Sequence, residues 1–295
     1  MSHYQPGILA TPVPSQARHL FFDLQSVEHL PAALDRLQRL VDGMGAVVGF
    51  GESLVRALGQ RIEGLRDFPA ISGIGVDNPS TQHALWIWLR GTERGELLLR
   101  THELQRELAP ALELVDATEG FRHGAGHDLT GYEDGTENPQ DEDAIGAAIV
   151  AGSGRGLDGG SFAAIQKWRH QLQMFAALPQ AEQDDIIGRR KSDNEELEEA
   201  PESAHVKRTA QESFEPEAFV VRRSMPWTEG NDAGLMFLAF GCTLDAFEVQ
   251  LRRMSGLEDG IVDALYRFSR PLTGGYYWCA PCNAGVLDLS ALLST

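Results

Sequence analysis

The sequence predicts an α+β fold made of two ferredoxin-like halves, and an internal repeat is the main reason. Residues 20–45, LFFDLQSVEHLPAALDRLQRLVDGMG, and residues 235–256, LMFLAFGCTLDAFEVQLRRMSG, share one order: a strand, a short polar link, an amphipathic helix, Met and Gly. Such a repeat is typical of tandem βαββαβ units of the dimeric α+β barrel type. A Gly/Ser-rich stretch at 151–160 predicts a boundary between halves spanning 1–152 and 153–295.

The first half contains one strongly amphipathic helix among several short strands. The helix has apolar residues at spacings of three and four, and Pro31 is tolerated in its first turn. The residues on its apolar face are Leu30, Ala33, Leu34, Leu37, Val41 and Met44. The other elements predicted in this half are strands over 17–24, 45–51, 83–91 and 112–121 and a helix over about 93–109.

The second half repeats this pattern and adds a pair of arginines. Residues 234–241 predict a strand, and an amphipathic helix follows it. Residues 219–227, FVVRRSMPW, predict another strand, in which successive side chains point to opposite faces. Either Arg222 or Arg223 therefore points into the core or a cavity, where a guanidinium needs an anion, a ligand or a carboxylate. The apolar face of the helix consists of Leu244, Phe247, Leu251 and Met254.

Composition and charge exclude several classes of partner. The 295 residues are 42% apolar and carry a formal net charge of −18, without a Lys/Arg-rich run. Nucleic acids and anionic membrane surfaces both require a basic footprint, so neither is expected as a partner. No apolar run approaches the roughly 18 residues of a membrane span, and no export-signal pattern is present. Since three cysteines are too few for a secreted disulfide framework, the sequence predicts a cytoplasmic protein.

Three short motifs carry candidate chemistry. In the turn-rich loop GYEDGTENP (131–139), Asp134 is either a solvated carboxylate or a group aimed at a ligand, which the following glycine lets the backbone approach. WCAPC (278–282) suggests a thiol–disulfide centre, but the 13 residues after Cys282 are too few for the helix and strands that such a fold needs. HGAGH (123–127) contains two histidines, but its glycines disfavour the helix that would bring both to one zinc ion.

Five stretches of the chain resemble the dye-decolorizing peroxidase family, in its bacterial, YfeX-like branch. They are GYEDGTENP (131–139), MFAALPQAEQDDIIGR (174–189), AHVKR (204–208), VVRRSMPW (220–227) and ALYRFSRPLTGGYYW (264–278). The resemblance covers nearly the whole chain. It implies two ferredoxin-like halves, with haem b (iron protoporphyrin IX) bound in the C-terminal half, and this agrees with the internal repeat.

The resemblance also implies roles for individual residues. His205 matches the proximal ligand of the haem iron, and Asp263 matches the carboxylate that hydrogen-bonds its imidazole. Asp134 and Arg222 match the distal aspartate and arginine, and Ser224 matches a small polar distal residue. The remaining matches are Gly135, Thr136 and Glu137 as contacts of the haem edge and Arg208 as a partner of a haem propionate.

The chemistry of these residue types fits a peroxidase. Peroxide must lose a proton from one oxygen and gain a proton on the other before the O–O bond breaks, and Asp134 can relay that proton. Arg222 can stabilise the negative charge that develops on the peroxide oxygens. A carboxylate on the far nitrogen of the His205 ring fixes its tautomer and raises its basicity as a ligand.

The predicted function is therefore a haem-dependent peroxidase that reduces hydrogen peroxide and oxidises dyes, phenolics or similar small-molecule donors through a ferryl intermediate. A haem-binding protein that removes iron, as a deferrochelatase does, is the first alternative, and a thiol–disulfide oxidoreductase is the second. The resemblance implies a homo-oligomer. The C-terminal stretch LDLSALLST offers no long docking tail, so the sequence leaves encapsulation in a shell protein open but unsupported.

Overall fold

The computed structural model of the chain describes residues 3–293, so the last two residues of LDLSALLST lie outside the described range. Within that range no helix has both the length and the apolar character needed to cross a bilayer.

The strands are β1 (Gln16–Leu24), β2 (Ala46–Phe50), β3 (Ile71–Gly73), β4 (Val76–Asn78), β5 (Leu85–Gly91), β6 (Leu112–Phe121), β7 (Ser161–His170), β8 (Val221–Arg222), β9 (Met225–Glu229), β10 (Asp232–Gly241), β11 (Ser269–Pro271), β12 (Gly275–Cys279), β13 (Cys282–Asn283) and β14 (Val286–Leu287). The α-helices are α1 (Leu30–Leu40), α2 (Glu52–Ala57), α3 (Arg94–Leu108), α4 (Asp141–Ala148), α5 (Leu172–Ala176), α6 (Gln180–Ile187), α7 (His205–Arg208) and α8 (Asp245–Met254), and short 3-10 helices span Pro6–Ile8, Gln211–Ser213 and Ala264–Arg267.

Each half of the chain forms an antiparallel unit with the same strand order. In the first half the order is β6-β1-β5-β2, with α1 between β1 and β2 and α3 between β5 and β6. In the second half the order is β12-β7-β10-β8, with α8 in the connection from β10 to β12. This is the βαββαβ arrangement twice over, so the predicted fold class is confirmed.

The two halves meet edge to edge in one ten-stranded sheet. β2 of the first half pairs with β12 of the second through Phe50 and Trp278, which are both buried. The stretch between Phe121 and Ser161 links the two units and carries both the Asp134 loop and α4. The boundary between residues 152 and 153 stays a prediction.

Helix α1 buries the face that its periodicity predicts, but it ends earlier than the pattern. Leu30, Leu34 and Leu37 are fully buried, whereas Met44 is 45% exposed and lies beyond the end of the helix at Leu40. The Asp42 carboxylate accepts hydrogen bonds from the backbone N–H groups of Met44 and the two residues after it, which makes a turn. The placement of Met44 on the helical face was therefore wrong.

Strand β7 escaped the sequence analysis. It runs through the middle of the second half, between β12 and β10, and most of its residues are buried on both faces. A strand covered on both sides shows no polar–apolar alternation, so its period is hidden. This matters for function, because Gln166, Trp168 and His170 of β7 line a cavity in the second half, which is described below as the main cavity.

Candidate active site

The main cavity lies in the second half, between the sheet and helices α7 and α8. Its walls are mostly apolar, and three of its polar side chains come from three separate stretches of chain. His205 begins α7, Asp134 lies in the GYEDGTENP loop, and Arg222 ends β8. The apolar walls consist of Trp168, Ile187, Leu235, Phe237, Phe247, Leu251, Met254, Leu265 and Phe268.

His205 is held by a buried carboxylate. Its Nδ1 atom lies 2.8 Å from Oδ2 of Asp263, whose side chain is completely buried. The other oxygen of Asp263 accepts the backbone N–H of Leu265 at 2.8 Å, so the carboxylate cannot turn away. A carboxylate on Nδ1 makes that nitrogen the protonated one and leaves Nε2 free as a metal ligand. The structure thus brings together the two residues predicted for the proximal side.

Asp134 and Arg222 form the second polar group of the cavity. Nη1 of Arg222 lies 3.7 Å from Oδ1 of Asp134, and each side chain is about one-fifth exposed. The pairing of Arg222 with Ala239 in β10 fixes the position of the arginine on the sheet. Its neighbour Arg223 points to the opposite face, donates to the carbonyl oxygens of Arg222 and Leu9, and has its pKa lowered to about 10 by burial and by the charge of Arg90.

Asn138 attaches the Asp134 loop to β8. Its Oδ1 accepts the backbone N–H of Arg222 at 2.7 Å, and its Nδ2 donates to the Arg222 carbonyl at 3.0 Å. Gly135 has a φ of 78°, and a Cβ atom at that position would lie 2.6 Å from Asn138 Nδ2. The glycine is therefore required by the turn and by the close approach of the asparagine amide.

A second brace holds the start of the same loop. Oδ1 of Asp128 accepts hydrogen bonds from the backbone N–H of Thr130 at 2.8 Å and from its hydroxyl at 2.6 Å. Oδ2 of Asp128 lies 3.2 Å from Nε2 of His170, whose Nδ1 lies 2.7 Å from the hydroxyl of Ser269. Sequence reasoning missed the pair of Asp128 and His170, although Asp-x-Thr is a recognisable turn signal.

An adjoining cavity, which we call the mouth of the main cavity, shares Asp134, His205 and Arg222 with it and is also lined by Thr136, Glu137 and Arg189. Arg189 is 9% exposed, forms an ion pair with Glu137, and lies 3.4 Å from a carboxylate oxygen of Glu196. The hydroxyl of Thr136 accepts a hydrogen bond from Asn194 at 2.9 Å. Sequence reasoning did not single out Arg189, because its partner Glu137 is 52 residues away.

Besides Asp263, which acts through His205, three predicted site residues are not part of the lining of the main cavity or its mouth: Gly135, Arg208 and Ser224. Arg208 is buried and donates two hydrogen bonds of 2.7 Å to the carboxylate of Asp259. Its Nη2 also donates to the carbonyl oxygen of Arg253. The structure does not bring Arg208 to the cavity lining or its mouth. Gly135 and Ser224 line a neighbouring cavity, which shares Asp134 and Arg222 with the main one.

The cysteine and histidine motifs form no centre of their own. Cys279 ends β12 and Cys282 begins β13, both thiols are free and buried, and burial raises the pKa of each. His123 and His127 face each other across an isolated bridge in a loop. Among residues 3–293, no three His, Cys, Asp or Glu side chains are grouped as a metal-binding set.

Comparison with known proteins gives curated relatives and solved structures that match most of the chain. A dye-decolorizing peroxidase from Rhodococcus erythropolis is 28% identical over 288 residues, which is 91% of this chain and 84% of the relative. A structure described as a putative Dyp-type peroxidase from Shewanella oneidensis aligns with a TM-score of 0.89 at 28% identity, over 100% of this chain and 99% of the other. A variant of Rhodococcus jostii DypB in complex with heme aligns with a TM-score of 0.84 at 25% identity, over 96% and 98% of the two chains.

Two family models match consecutive parts of the chain. The N-terminal domain of Dyp-type peroxidases matches residues 6–122, and the C-terminal domain matches residues 125–284. The C-terminal match contains the Asp134 loop, His205 and Arg222, which the structure brings together in one cavity. Since the two models together match nearly all of the sequence, the chain belongs to the Dyp-type peroxidase family.

Proposed function

We propose that the protein is a haem-dependent peroxidase, which reduces hydrogen peroxide and oxidises dyes, phenolics or similar small molecules. One observation carries the proposal: a carboxylate-held histidine lines the same cavity as an aspartate and an arginine. Family membership supports it, and so does the heme in the related Rhodococcus jostii structure. Iron removal from haem, the alternative function, is not favoured by any of the relatives described above.

The residues of the cavity fit a haem group. Apolar side chains of the sheet and of α8 form its walls, as a porphyrin requires, and Nε2 of His205 is the free nitrogen donor. The amide Nε2 of Gln166 is buried in the wall and has no hydrogen-bond partner among the described residues, so it can donate to a bound group. At the mouth, Arg189 supplies a positive charge suited to a carboxylate substituent.

In this proposal His205 holds haem b through Nε2, and the Asp263 carboxylate orients the ring and increases its basicity. Haem, when bound, supplies the iron centre at which peroxide reacts and which passes oxidising equivalents to the donor. Asp134 takes a proton from one peroxide oxygen and returns it to the other, so that the oxygen that departs leaves as water. Arg222 stabilises the negative charge on peroxide while the proton moves.

We assign recognition of the haem carboxylates to Arg189 rather than to Arg208. Both guanidinium groups are buried, but Arg208 is already neutralised by Asp259 with two short hydrogen bonds. Arg189 lies at the mouth of the cavity, and its partners Glu137 and Glu196 are 62% and 55% exposed, so both glutamates can turn to water when a haem carboxylate arrives. Gly135 acts through the shape of the loop, and Thr136 and Glu137 form the rim.

A peroxide titration of the haem-loaded protein tests the proposal. We expect a Soret band typical of a histidine-ligated haem, a rapid spectral change with about one equivalent of hydrogen peroxide, and a return to the starting spectrum when a dye or phenol is added. Tight haem binding without this response would overturn the peroxidase proposal. Release of iron-free porphyrin, detected by its fluorescence, would support the deferrochelatase-like alternative instead.

Three further predictions belong with this proposal. Hydrogen peroxide and small-molecule donors are the expected substrates, and the chain is expected to form a homo-oligomer, which light scattering of the purified protein tests. The cytoplasmic location predicted from composition stays a prediction, which cell fractionation tests.

A further inference from the structure

A groove on the surface of the second half has an unusual combination of chemistry. It runs between helix α4, the segment 214–219 and the start of α8, and most of its lining is apolar. Phe219 and Val249 are 36% and 37% exposed there, which is high for large apolar side chains. Apolar surface left open beside a cavity is a common feature of ligand-binding grooves.

The groove is also strongly acidic. No Lys, Arg or His is among its described lining residues, whereas the following carboxylates are: Glu137, Glu142, Asp143, Glu215, Glu217 and Asp245. Glu137 is paired with Arg189 and Asp245 with Arg66. The other four form no ion pair within residues 3–293, so their negative charge faces the groove without a counter-charge.

The groove borders the proposed active site. Thr136 and Glu137 line both the groove and the mouth of the main cavity. A molecule in the groove therefore lies beside residues that also line the mouth of the main cavity. An electron donor bound there does not need to enter the cavity, which the proposed haem would fill.

We propose that this acidic groove is a binding site for cationic aromatic electron donors, an inference that rests on the proposed peroxidase function. The apolar lining with Phe219 suits a flat ring, and the unpaired carboxylates suit a positive charge on it. A cation close to an aromatic side chain gains further stabilisation. Phe214 of the lining already makes one such contact, 3.4 Å from its ring centroid to the guanidinium of Arg253, which is not itself a lining residue and is paired with Glu258.

Charge complementarity decides against other occupants. An anionic dye would be repelled by the unpaired carboxylates, and a second copy of this chain related by a two-fold axis through the groove would bring an equally acidic groove to the same place. Attraction between exposed charges weakens within a Debye length of about 10 Å at 0.1 M salt, so binding of a cation should weaken as salt is added.

Equilibrium dialysis of the haem-loaded protein against methylene blue, without peroxide, tests the binding step. The test variant is the triple substitution Glu142→Gln, Glu215→Gln and Glu217→Gln, none of which touches the main cavity. We expect its Kd for the dye to rise about 3- to 30-fold at low ionic strength. Phe219→Ala should raise the Kd about 2- to 5-fold.

The matched control removes the same charge from other surfaces. Glu28, Glu63 and Glu103 are exposed, form no ion pair within the described range and lie outside the groove, so their triple substitution by Gln should change the Kd less than twofold. An equal rise of the Kd in both triple variants would overturn the proposed site, because it would show that the net charge of the protein alone causes the effect. An unchanged Kd in the groove variant, or no saturable binding at all, would also overturn it.

Steady-state oxidation tests the role as donor site. We expect the groove variant to raise KM for methylene blue and to leave KM for an anionic anthraquinone dye unchanged. If the dye binds in the groove but its KM does not respond to the substitutions, the donor role is wrong. A failure of the peroxidase proposal would look different. The haem-loaded protein would then not respond to hydrogen peroxide, while dialysis would still detect binding of the dye.

Discussion

The side-chain amide of Asn138 hydrogen-bonds both backbone groups of Arg222, at 2.7 Å to its N–H and 3.0 Å to its carbonyl oxygen. The asparagine thus takes the place of a neighbouring strand and attaches the acidic loop to β8. Because Asp134 lies four residues before Asn138, this attachment also holds the aspartate beside the guanidinium of Arg222. The geometry of the candidate site therefore depends on a residue that need not touch substrate.

Replacing Asn138 with Ala should loosen the loop and slow the reaction with peroxide. Two hydrogen bonds to backbone groups are lost, which costs about 1 kcal/mol each in unfolding free energy. Urea denaturation and stopped-flow mixing with peroxide measure the two effects. The control is Asn283→Ala, which removes an exposed side-chain amide whose oxygen lies 2.7 Å from Nδ1 of His3, outside the candidate site. Equal effects of both substitutions would contradict the special role of Asn138.

Gly135→Ala should destabilise the same attachment by a different route. A Cβ atom in the left-handed conformation is strained by about 1–2 kcal/mol, and here it would also meet Asn138 Nδ2 at 2.6 Å. We expect a lower Tm together with slower reaction with peroxide. Gly230→Ala is the matched control, because its φ is also positive but its Cβ atom would meet open space. A loss of reactivity in both variants would argue against the contact with Asn138.

Arg222→Ala should slow the first reaction with hydrogen peroxide far more than Asp134→Ala does. A fixed positive charge that stabilises developing negative charge typically contributes about 10²–10³-fold in rate, and water does not replace it. Water can substitute for Asp134 in carrying a proton. Stopped-flow absorbance at the Soret band measures both variants. The reverse order of effects would exchange the roles that we assign to the two residues.

His205→Ala should abolish stable haem binding, whereas Asp263→Asn should retain haem with altered properties. An amide at residue 263 still bonds the imidazole but lacks the negative charge that increases the basicity of His205. We therefore expect a higher reduction potential of the haem iron in Asp263→Asn, measured by spectroelectrochemistry. An unchanged histidine-ligated spectrum in His205→Ala would show that another residue is the ligand.

Asp128 should contribute stability that is lost in acid. Burial opposes its charge, but the hydrogen bond and charge of His170 and the hydrogen bonds of Thr130 outweigh burial, so the pKa of Asp128 lies below its ordinary value. Because the pKa is depressed, the contribution of Asp128 to stability is complete above about pH 4, which is the pKa of Asp in an unfolded chain. It disappears as the pH falls through the lower pKa of Asp128 in the folded protein. Asp128→Asn should therefore lower Tm at pH 7. Between pH 4 and pH 2, the Tm of this variant should fall less than the Tm of the unsubstituted protein. A parallel fall in both proteins would contradict this.

Only one of the three cysteines should react with a thiol reagent in the native protein. Cys242 is exposed, whereas Cys279 and Cys282 are buried and have raised pKa values, so their thiolate forms are rare. Ellman's reagent should titrate one thiol in buffer and three in guanidinium chloride. A rapid reaction of a second thiol in the native protein would reopen the reading of WCAPC as a redox motif.

Much of the fold was predictable because its signals are local. The faces of α1 and α8 and the strands β1, β2, β5, β6 and β10 follow from the spacing of apolar residues within each segment. The repeat of strand, link and helix then predicted two halves of the same type. Strand β7 could not be found in this way, because both of its faces are covered and it therefore has no alternating pattern.

The sequence by itself determined the chemical types at the site. His205, Asp134 and Arg222 stand in short motifs that resemble those of the dye-decolorizing peroxidase family, so the resemblance could select them before any contact was known. The identity of the ion-pair partners was decided only by tertiary structure: Arg208 bonds Asp259, which is 51 residues away, while Arg189 lies at the cavity mouth. The physical reason is that a guanidinium is satisfied by whichever carboxylate the fold brings within reach. Residues far apart in the chain meet only when the sheet has formed and the helices have packed on it.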